Sequence, residues 1–420
     1  MRATQLMAAL VRLRALMARS IILPAVLAVC CTAPAAAVEL SAGDWTFSAT
    51  GNVNVHYINA DCEEETVAAV VGGLACRGAA GRERSSSISN GLLPAALAIG
   101  ASTTQKGYDL SVTFGFFPGI STNDGGSPNL QQGAEPFGTN TALGTTGLDV
   151  RQVYMTFGND RMGTFTLGRN IGLFGADAIL NDMTLPGVGA ANTNMAAPAN
   201  TSLGSIGLGY IYTDWLAQIN YTTPDLAGFT LTIGVFDPLE PILQGVPTPE
   251  GSPGVHGKVA YENGPVYVSA SVLWQEHEGV ADAADFDSWA FDIGGKLTFG
   301  PLEILGWYYS GEGVGTTGLF FFGDDGLGNE RDSDGFLAQI TYELGSTKLG
   351  VNYGESNLDL ASGELSSALV KSNEKYTIGV YHSLTENLIL LAEFTDVKSR
   401  SHNGIRNDSS NFNIGAYLSF

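Results

Sequence analysis

Long apolar runs are missing from this 420-residue sequence once its first 37 residues are set aside. The longest, at 67–76 and 388–392, fall well short of the ~18 residues that a membrane-spanning helix requires, which excludes a helical membrane protein. Charge is scarce, at 15% of residues, and basic charge is scarcer still, with 20 Lys and Arg against 42 Asp and Glu. So acidic a chain would be repelled by phosphate backbones, which excludes nucleic acid as a partner.

Cysteine and histidine are also few, with four and five residues. Of the cysteines, Cys62 and Cys76 lie outside the first 37 residues, and in an oxidising compartment they most simply pair as a disulfide. Zinc would need two further ligands nearby, and none is visible. The histidines fall on distant segments with no nucleophile motif beside them, so the sequence predicts neither an enzyme nor a cofactor.

The first 37 residues have the pattern of a secretory signal peptide. Four arginines and no acid precede an apolar run at 21–31, which small residues at 33–37 close. We expect cleavage after Ala37, leaving 38–420 as one folded domain with 16 basic residues against 42 acidic, a balance of −26. The alternative is a lipoprotein acylated at Cys30 or Cys31, but the residues before them make a poor lipidation site.

The remaining chain alternates apolar and polar residues in segments of about ten, the length of a membrane-spanning strand. The last segment places Phe412, Ile414 and Leu418 on one side and Asn411 and Asn413 on the other. In other segments the polar side is charged, which a dry sandwich interior does not tolerate but the wet lumen of a barrel does. The residues predicted to face this lumen are Lys258, Glu262, Asp292, Lys296, Glu343, Lys348, Lys375 and Glu393.

Short and long connections alternate strictly between these segments. Seven short turns and eight long loops make fifteen connections, although 208–222 can be read as one strand or two. The sequence therefore predicts an all-β fold, a transmembrane antiparallel β-barrel of 16 strands in a Gram-negative outer membrane, wide enough for an aqueous channel. The long loops are predicted at 60–87, 118–147, 171–207, 238–253, 277–285, 311–332, 356–370 and 398–409.

Residues 149–189 resemble the general diffusion porins of proteobacterial outer membranes. The resemblance rests on Arg-Gln-Val-Tyr at 151–154, Gly-Thr-Phe-Thr-Leu-Gly-Arg-Asn at 163–170, and Leu-Asn-Asp-Met-Thr-Leu-Pro-Gly at 180–187. It implies a homotrimer of 16-stranded barrels, each narrowed by a third loop, approximately 171–207, folded into the lumen. It further implies insertion by the barrel assembly machinery, with Phe420 as the assembly signal, among outer-membrane lipid and lipopolysaccharide.

The same resemblance implies a charged constriction. Asp177 and Asp182 would form its acidic side, with Arg151 on the opposite wall and Arg169 where the loop begins. Here Leu185-Pro186 is followed by Gly187, where the family often has an acid. The alternatives are that Arg169 only ties the loop to the wall and that Asp182 caps a helical turn.

These features predict passive diffusion of small hydrophilic solutes and ions. With its acidic excess, the pore is expected to be moderately cation-selective. A substrate-specific channel is the alternative, disfavoured because the lumen positions contain no evident row of aromatic residues. Acidic residues at 324–334 are oxygen ligands of the kind Ca²⁺ prefers, without the spacing of a known calcium motif.

Overall fold

The computed structural model describes residues 38–63, 70–79, 83–120, 148–192, 201–239, 251–279 and 283–420. The predicted signal peptide at 1–37 and most of the loop at 118–147 lie outside these ranges. The elements are β1 Val38–Ala42, β2 Trp45–Cys62, a 3₁₀ turn Arg77–Ala79, β3 Arg84–Ser89, β4 Ala96–Gln105, β5 Tyr108–Pro118, β6 Leu148–Asn159, β7 Gly163–Ile171, α1 Ala176–Leu180, β8 Trp215–Thr222, β9 Phe229–Phe236, β10 Gly254–Asn263, β11 Val266–His277, β12 Phe286–Phe299, β13 Leu302–Glu312, β14 Asp332–Leu344, β15 Thr347–Leu358, β16 Val370–Ser383, β17 Leu388–Ser401 and β18 Arg406–Ser419.

The strands form one closed antiparallel barrel. Each strand from β4 to β18 pairs with the next, and β18 pairs with β2 to complete the ring. Two positions are each built from two strands: β3 and β4 both pair with one edge of β2, while β1 and β18 pair with the other. The described residues therefore contain sixteen strand positions, which confirms the predicted barrel. Closure leaves no unpaired sheet edge in the membrane.

The turns and loops also follow the predicted alternation. All seven short turns lie where the sequence placed them, several with a glycine at positive φ, such as Gly264, Gly300 and Gly345. The predicted loop at 398–409 is wrong, because β17 and β18 extend into it and leave only four residues between them. The third loop, between β7 and β8, spans 172–214 and is longer than predicted; it is called loop 3 below. The segment 208–222, which the sequence left open as one strand or two, contains one strand.

On this barrel the exposed outward residues are apolar and the buried inward residues are polar, which is the reverse of a soluble protein. Outward residues such as Ile414, Val272 and Ile340 are about half exposed and apolar, whereas inward residues such as Asn413 and Thr395 are polar and fully buried. This is the arrangement that lipid outside and a polar interior require. In the described ranges, helices are too short and too polar to span a bilayer.

Candidate functional site

The eight charged residues predicted to face the lumen all occupy inward positions of their strands. Glu262 and Glu343, near the short turns, are exposed. Three lysines are half-buried: Lys258, Lys296 and Lys348. Asp292, Lys375 and Glu393 are buried, since loop 3 covers Asp292 and Glu393.

Loop 3 begins against β10, β11 and β12. Gly175, at φ +75°, turns the chain into α1 and donates its N–H to the carboxylate of Asp292 at 2.6 Å. The carboxylate of Asp177 in α1 then accepts from Lys258 Nζ at 2.9 Å and from the hydroxyls of Tyr267 and Ser269 at 2.7 Å each. Burial opposes ionisation here, but the charge of Lys258 and the two hydroxyl donors outweigh it and hold the pKa of Asp177 below its ordinary value.

Asp182 lies after α1 and serves both the loop and the wall. Its carboxylate accepts from the backbone N–H and hydroxyl of Thr184 at 2.9 and 2.8 Å, the local role considered as an alternative above. It also accepts from Tyr210 Oη at 2.9 Å and from Asn352 Nδ2 on β15 at 3.2 Å. Burial, together with the neighbouring Asp182 charge, raises the pKa of Tyr210 well above its ordinary value.

The middle of loop 3 is attached to β17. Glu393 accepts from the backbone N–H groups of Val188 and Gly189 at 2.8 and 2.9 Å and from Tyr381 Oη at 2.6 Å. Gly187 approaches this carboxylate so closely that a side chain there would overlap it. A larger residue at this position, where the sequence departs from the family pattern, would displace the Glu393 carboxylate from its hydrogen bonds to Val188 and Gly189.

The structure does not bring Arg151 to Asp177 or Asp182, and the loop 3 acid with which it interacts is Asp214. Arg151 lies at a β-bulge in β6, where its Nε donates to Asp149 at 2.9 Å and its guanidinium stands 5.3 Å from the centre of the Phe117 ring. Asp177 instead has Lys258 as its basic partner. The implied opposition of Arg151 to Asp177 and Asp182 is thus replaced by two separate ion-pair sites.

Arg169 also differs from the implied constriction. It pairs in register with Val153, whose side chain is exposed, and it follows the two-residue period of outward-facing Leu167. This period assigns Arg169 to the outward face of β7, where it interacts electrostatically with Asp214 at the end of loop 3. The result favours the alternative in which this arginine ties the loop to the wall.

Some inward positions are aromatic, although the sequence showed no evident row of aromatic residues in the lumen. On β13 the inward positions carry Leu305, Trp307 and Tyr309, all buried. Apolar residues of loop 3, among them Ile179 and Leu185, pack in one cluster with Leu305 and Trp307. The two-residue period of 304–309 contained this signal, because it separates Trp307 and Tyr309 from the outward residues between them.

An opening remains on the other side of loop 3. A cavity of about 80 Å³ lies between loop 3 and residues of β2, β4, β5, β6, β7, β8 and β18. Its loop side is formed by Ile179, Leu180, Leu185, Thr201, Ile206 and Tyr212, not by Asp177 or Asp182. Because both acids point to the opposite wall, the surface that loop 3 turns to the opening is mainly apolar.

Two predictions at the long-loop end have different outcomes. The Cys62–Cys76 disulfide is confirmed, joining the end of β2 to the turn at Arg77–Ala79 with a Cα–Cα distance of 5.0 Å. In the acidic loop, Asp324 and Asp325 accept from backbone N–H groups of the loop itself. In the part of the chain that the structure describes, no three His, Cys, Asp or Glu side chains are placed to hold a metal ion, and calcium binding by this loop stays a prediction.

Comparison with known proteins gives one family match and many matches of fold. The model of a family described as Gram-negative porin matches residues 25–402. No curated protein sequence matches. Among solved structures, the anion-selective porin from Comamonas acidovorans is 13% identical with a TM-score of 0.60, covering 90% of this chain and 100% of its own.

Two further structures have the same fold. The outer membrane channel DcaP of Acinetobacter baumannii is 15% identical with a TM-score of 0.66, covering 90% of this chain and 99% of its own. OmpF of Salmonella typhi, solved as a complex with daunomycin, is 12% identical with a TM-score of 0.57, covering 91% and 100%.

Proposed function

This chain belongs to the Gram-negative porin family, and we propose that it lets small hydrophilic solutes and ions diffuse passively through its barrel, with a moderate preference for cations. The observation that carries the proposal is a closed ring of sixteen strand positions with polar, charged residues inside and apolar residues outside. Such a barrel is wide enough to hold water. The proposed role is passage down a gradient, without catalysis.

In this proposal loop 3 lies across the lumen and sets its width. Its hydrogen bonds to inward residues of β12, β14 and β17 support this, because they attach the loop at Asp292, Gln339 and Glu393 around one half of the wall. The cavity beside Leu185 is then the narrow part of the path.

Cation preference is assigned to the mouth at the short turns, not to loop 3. Glu262 and Glu343 are exposed there on the inward face, whereas Asp177 is neutralised by Lys258. Exposed carboxylates beside a low-dielectric wall raise the local cation concentration. The fold does not decide selectivity, since one of the similar structures is an anion-selective porin.

The test is the reversal potential across a tenfold KCl gradient in planar bilayers. The wild-type sign should indicate higher potassium permeability, and E262Q with E343Q should move the value toward zero. The matched control is E355Q with E374Q, which removes two carboxylates from the outward face, where Tyr353 contacts both. Higher chloride permeability in the wild type would contradict the proposed selectivity, and absence of conductance would contradict the channel.

A substrate-specific channel is the second candidate, and the apolar cavity beside loop 3 favours it. A porin with a binding site saturates with its solute, whereas a simple pore does not. Conductance measured against solute concentration separates the two.

We further propose that the protein is a homotrimer in the outer membrane, in contact with lipid and lipopolysaccharide. Its signal peptide would direct export and be cleaved after Ala37, and the barrel assembly machinery would insert the chain. Apolar outward residues on most strands support contact with lipid or with further copies. Native mass spectrometry in mild detergent tests the trimer, and a monomer alone would contradict it. Sequencing the amino terminus of the exported protein tests the cleavage.

A further inference from the structure

The cavity beside loop 3 is lined with aromatic rings, which is unusual for a path taken by hydrophilic solutes. Phe117, Trp215 and Tyr417 belong to strands on one side, and loop 3 contributes Tyr212 and several apolar residues. The Phe117 and Trp215 rings are 5.7 Å apart between centres and tilted by 45°, so they form a corner and not a flat wall. Trp215 Nε1 already donates to Tyr212 Oη at 2.7 Å, so the indole itself offers only ring surface.

The cavity lining contains fewer polar than apolar side chains, and not every polar atom has a hydrogen-bond partner. Gln152 is 1% exposed, and its Nε2 donates to Asn170 at 3.1 Å. Its carbonyl oxygen is buried without a hydrogen-bond partner in the described ranges. A buried acceptor without a donor costs free energy, so a bound molecule that supplies one is favoured. Arg151 offers little net charge, because it is paired with Asp149.

From this geometry we propose that the cavity is a binding subsite for small uncharged molecules that combine one planar ring with a hydroxyl or N–H donor, the phenol class. The ring would stack among Phe117, Trp215 and Tyr417, and the donor would bind Gln152 Oε1 after that side chain, now 1% exposed, turns its oxygen toward the cavity. The placement of this subsite on a solute path rests on the proposed function. Binding of the ligand does not require the protein to conduct.

The size of the cavity agrees with this class. A water molecule needs roughly 10–15 Å³ of such space, so about 80 Å³ accommodates about as many heavy atoms as one six-membered ring. Aromatic surface favours a flat π-system over a sugar ring by stacking. A carboxylate on the ring would meet the unpaired Gln152 oxygen, and Arg151, which lines the cavity, is already paired with Asp149, so an acid is disfavoured.

The experiment compares three probes on the full mature protein: resorcinol, 1,3-dimethoxybenzene and xylose. The second has the ring without the donors, and the third has donors without the aromatic ring. Binding is measured by equilibrium dialysis in detergent, and conduction by current block in planar bilayers. Resorcinol should bind saturably and interrupt the current, with at least tenfold higher affinity than either of the others.

Two variants locate the site. Q152L should weaken resorcinol binding about tenfold while leaving dimethoxybenzene unchanged, because only the former supplies a donor. L180W should fill the cavity and abolish binding. The control is L297W, which adds the same ring at an exposed outward position and should leave binding unchanged.

The outcomes separate the subsite from the channel. Equal affinity for resorcinol and dimethoxybenzene, or no resorcinol binding to a conducting wild type, overturns the subsite and leaves the channel intact. Saturable resorcinol binding that Q152L weakens, in a protein that conducts no ions, supports the subsite and overturns the proposed function. The probe comparison on the wild type decides the proposal even if both variants fail to fold.

Discussion

At the scale of the residue, Asp177 shows how one carboxylate attaches loop 3 to the wall. It accepts from Lys258 and two hydroxyls while only 7% exposed. Hydrogen bonds to a charged group are worth roughly 1.5–3 kcal/mol each, and removing one partner of a buried pair leaves the other uncompensated. The attachment is therefore sensitive to loss of this one charge.

We predict that D177N loosens the start of loop 3 while the barrel stays folded. Amides of 175–181 should lose hydrogen-exchange protection by roughly 2–3 kcal/mol, the scale of a lost charge-assisted hydrogen bond. The control is D160N, which removes an acid from an exposed turn and should leave these amides unchanged. Unchanged protection in D177N would contradict the attachment.

The pH dependence follows from the direction of the pKa shift. Because the folded protein lowers the pKa of Asp177, its contribution is complete above the ordinary aspartate value of about 3.9 and is lost as pH falls through the lower folded value. The part of the 175–181 protection that D177N removes should therefore be constant from pH 8 to 5 and decline only under stronger acid. A decline centred near pH 6 would mean that another group controls the attachment.

At the scale of the element, the segment 70–79 is held to the inward face of the barrel by more than its disulfide. The backbone N–H groups of Leu74 and Cys76 donate to Ser399 and Ser409 at 2.9 Å each. The barrel below is closed by the ladder of β18 and β2, in which Cys62 pairs only at one end, with Ser409. Loss of the disulfide should therefore act on the loop alone.

We predict that C62S with C76S leaves the heat-modifiable migration of the folded barrel on gels unchanged. Local protection in 70–79 should fall by up to about 3 kcal/mol, the loop-closure effect expected for a span of this length. Proteolysis with mass mapping measures the loop, and the gel measures the barrel. A barrel that no longer folds would contradict the separation of the two.

How far the sequence predicts this structure differs between strands and loop. The strands were predictable because side chains on a barrel strand alternate with a fixed period of two, which is visible in any ten residues. The partner of Asp177 was not, since Lys258 is 81 residues away and no local pattern states against which wall a loop packs. The bulge at Arg151 likewise leaves no periodic trace.

At the scale of the whole molecule, the last residue meets the start of the barrel. The backbone N–H and C=O of Phe420 both pair with Gly51 at 3.0 and 2.9 Å, and its side chain is 40% exposed. A side chain at position 51 would overlap the Phe420 ring and the carbonyl of Ala96. Phe420 therefore packs and pairs at the junction of β18 and β2, where the barrel closes.

We predict that deletion of Phe420 lowers the yield of outer-membrane protein more than the stability of protein refolded in detergent. Two hydrogen bonds and a half-exposed ring contribute only a few kcal/mol to a barrel of this size. Outer-membrane yield and the urea midpoint of refolded protein give the two readings. Wild-type yield from the truncated chain would contradict an assembly signal at this residue.

The same junction makes Val38 and Ser419 neighbours on one edge of β2. Ser419 pairs with Asn52 and Val38 with Ala49 along the same edge of β2. A short linker could therefore join 420 to 38, with new termini opened at the turn 345–346. Such a circular permutant should refold in vitro, since every strand keeps its neighbours, yet its carboxyl end would be the end of β14. Insertion of this permutant in cells would show that barrel geometry suffices for assembly. Refolding in vitro without insertion in cells would show that assembly needs a phenylalanine at the carboxyl end.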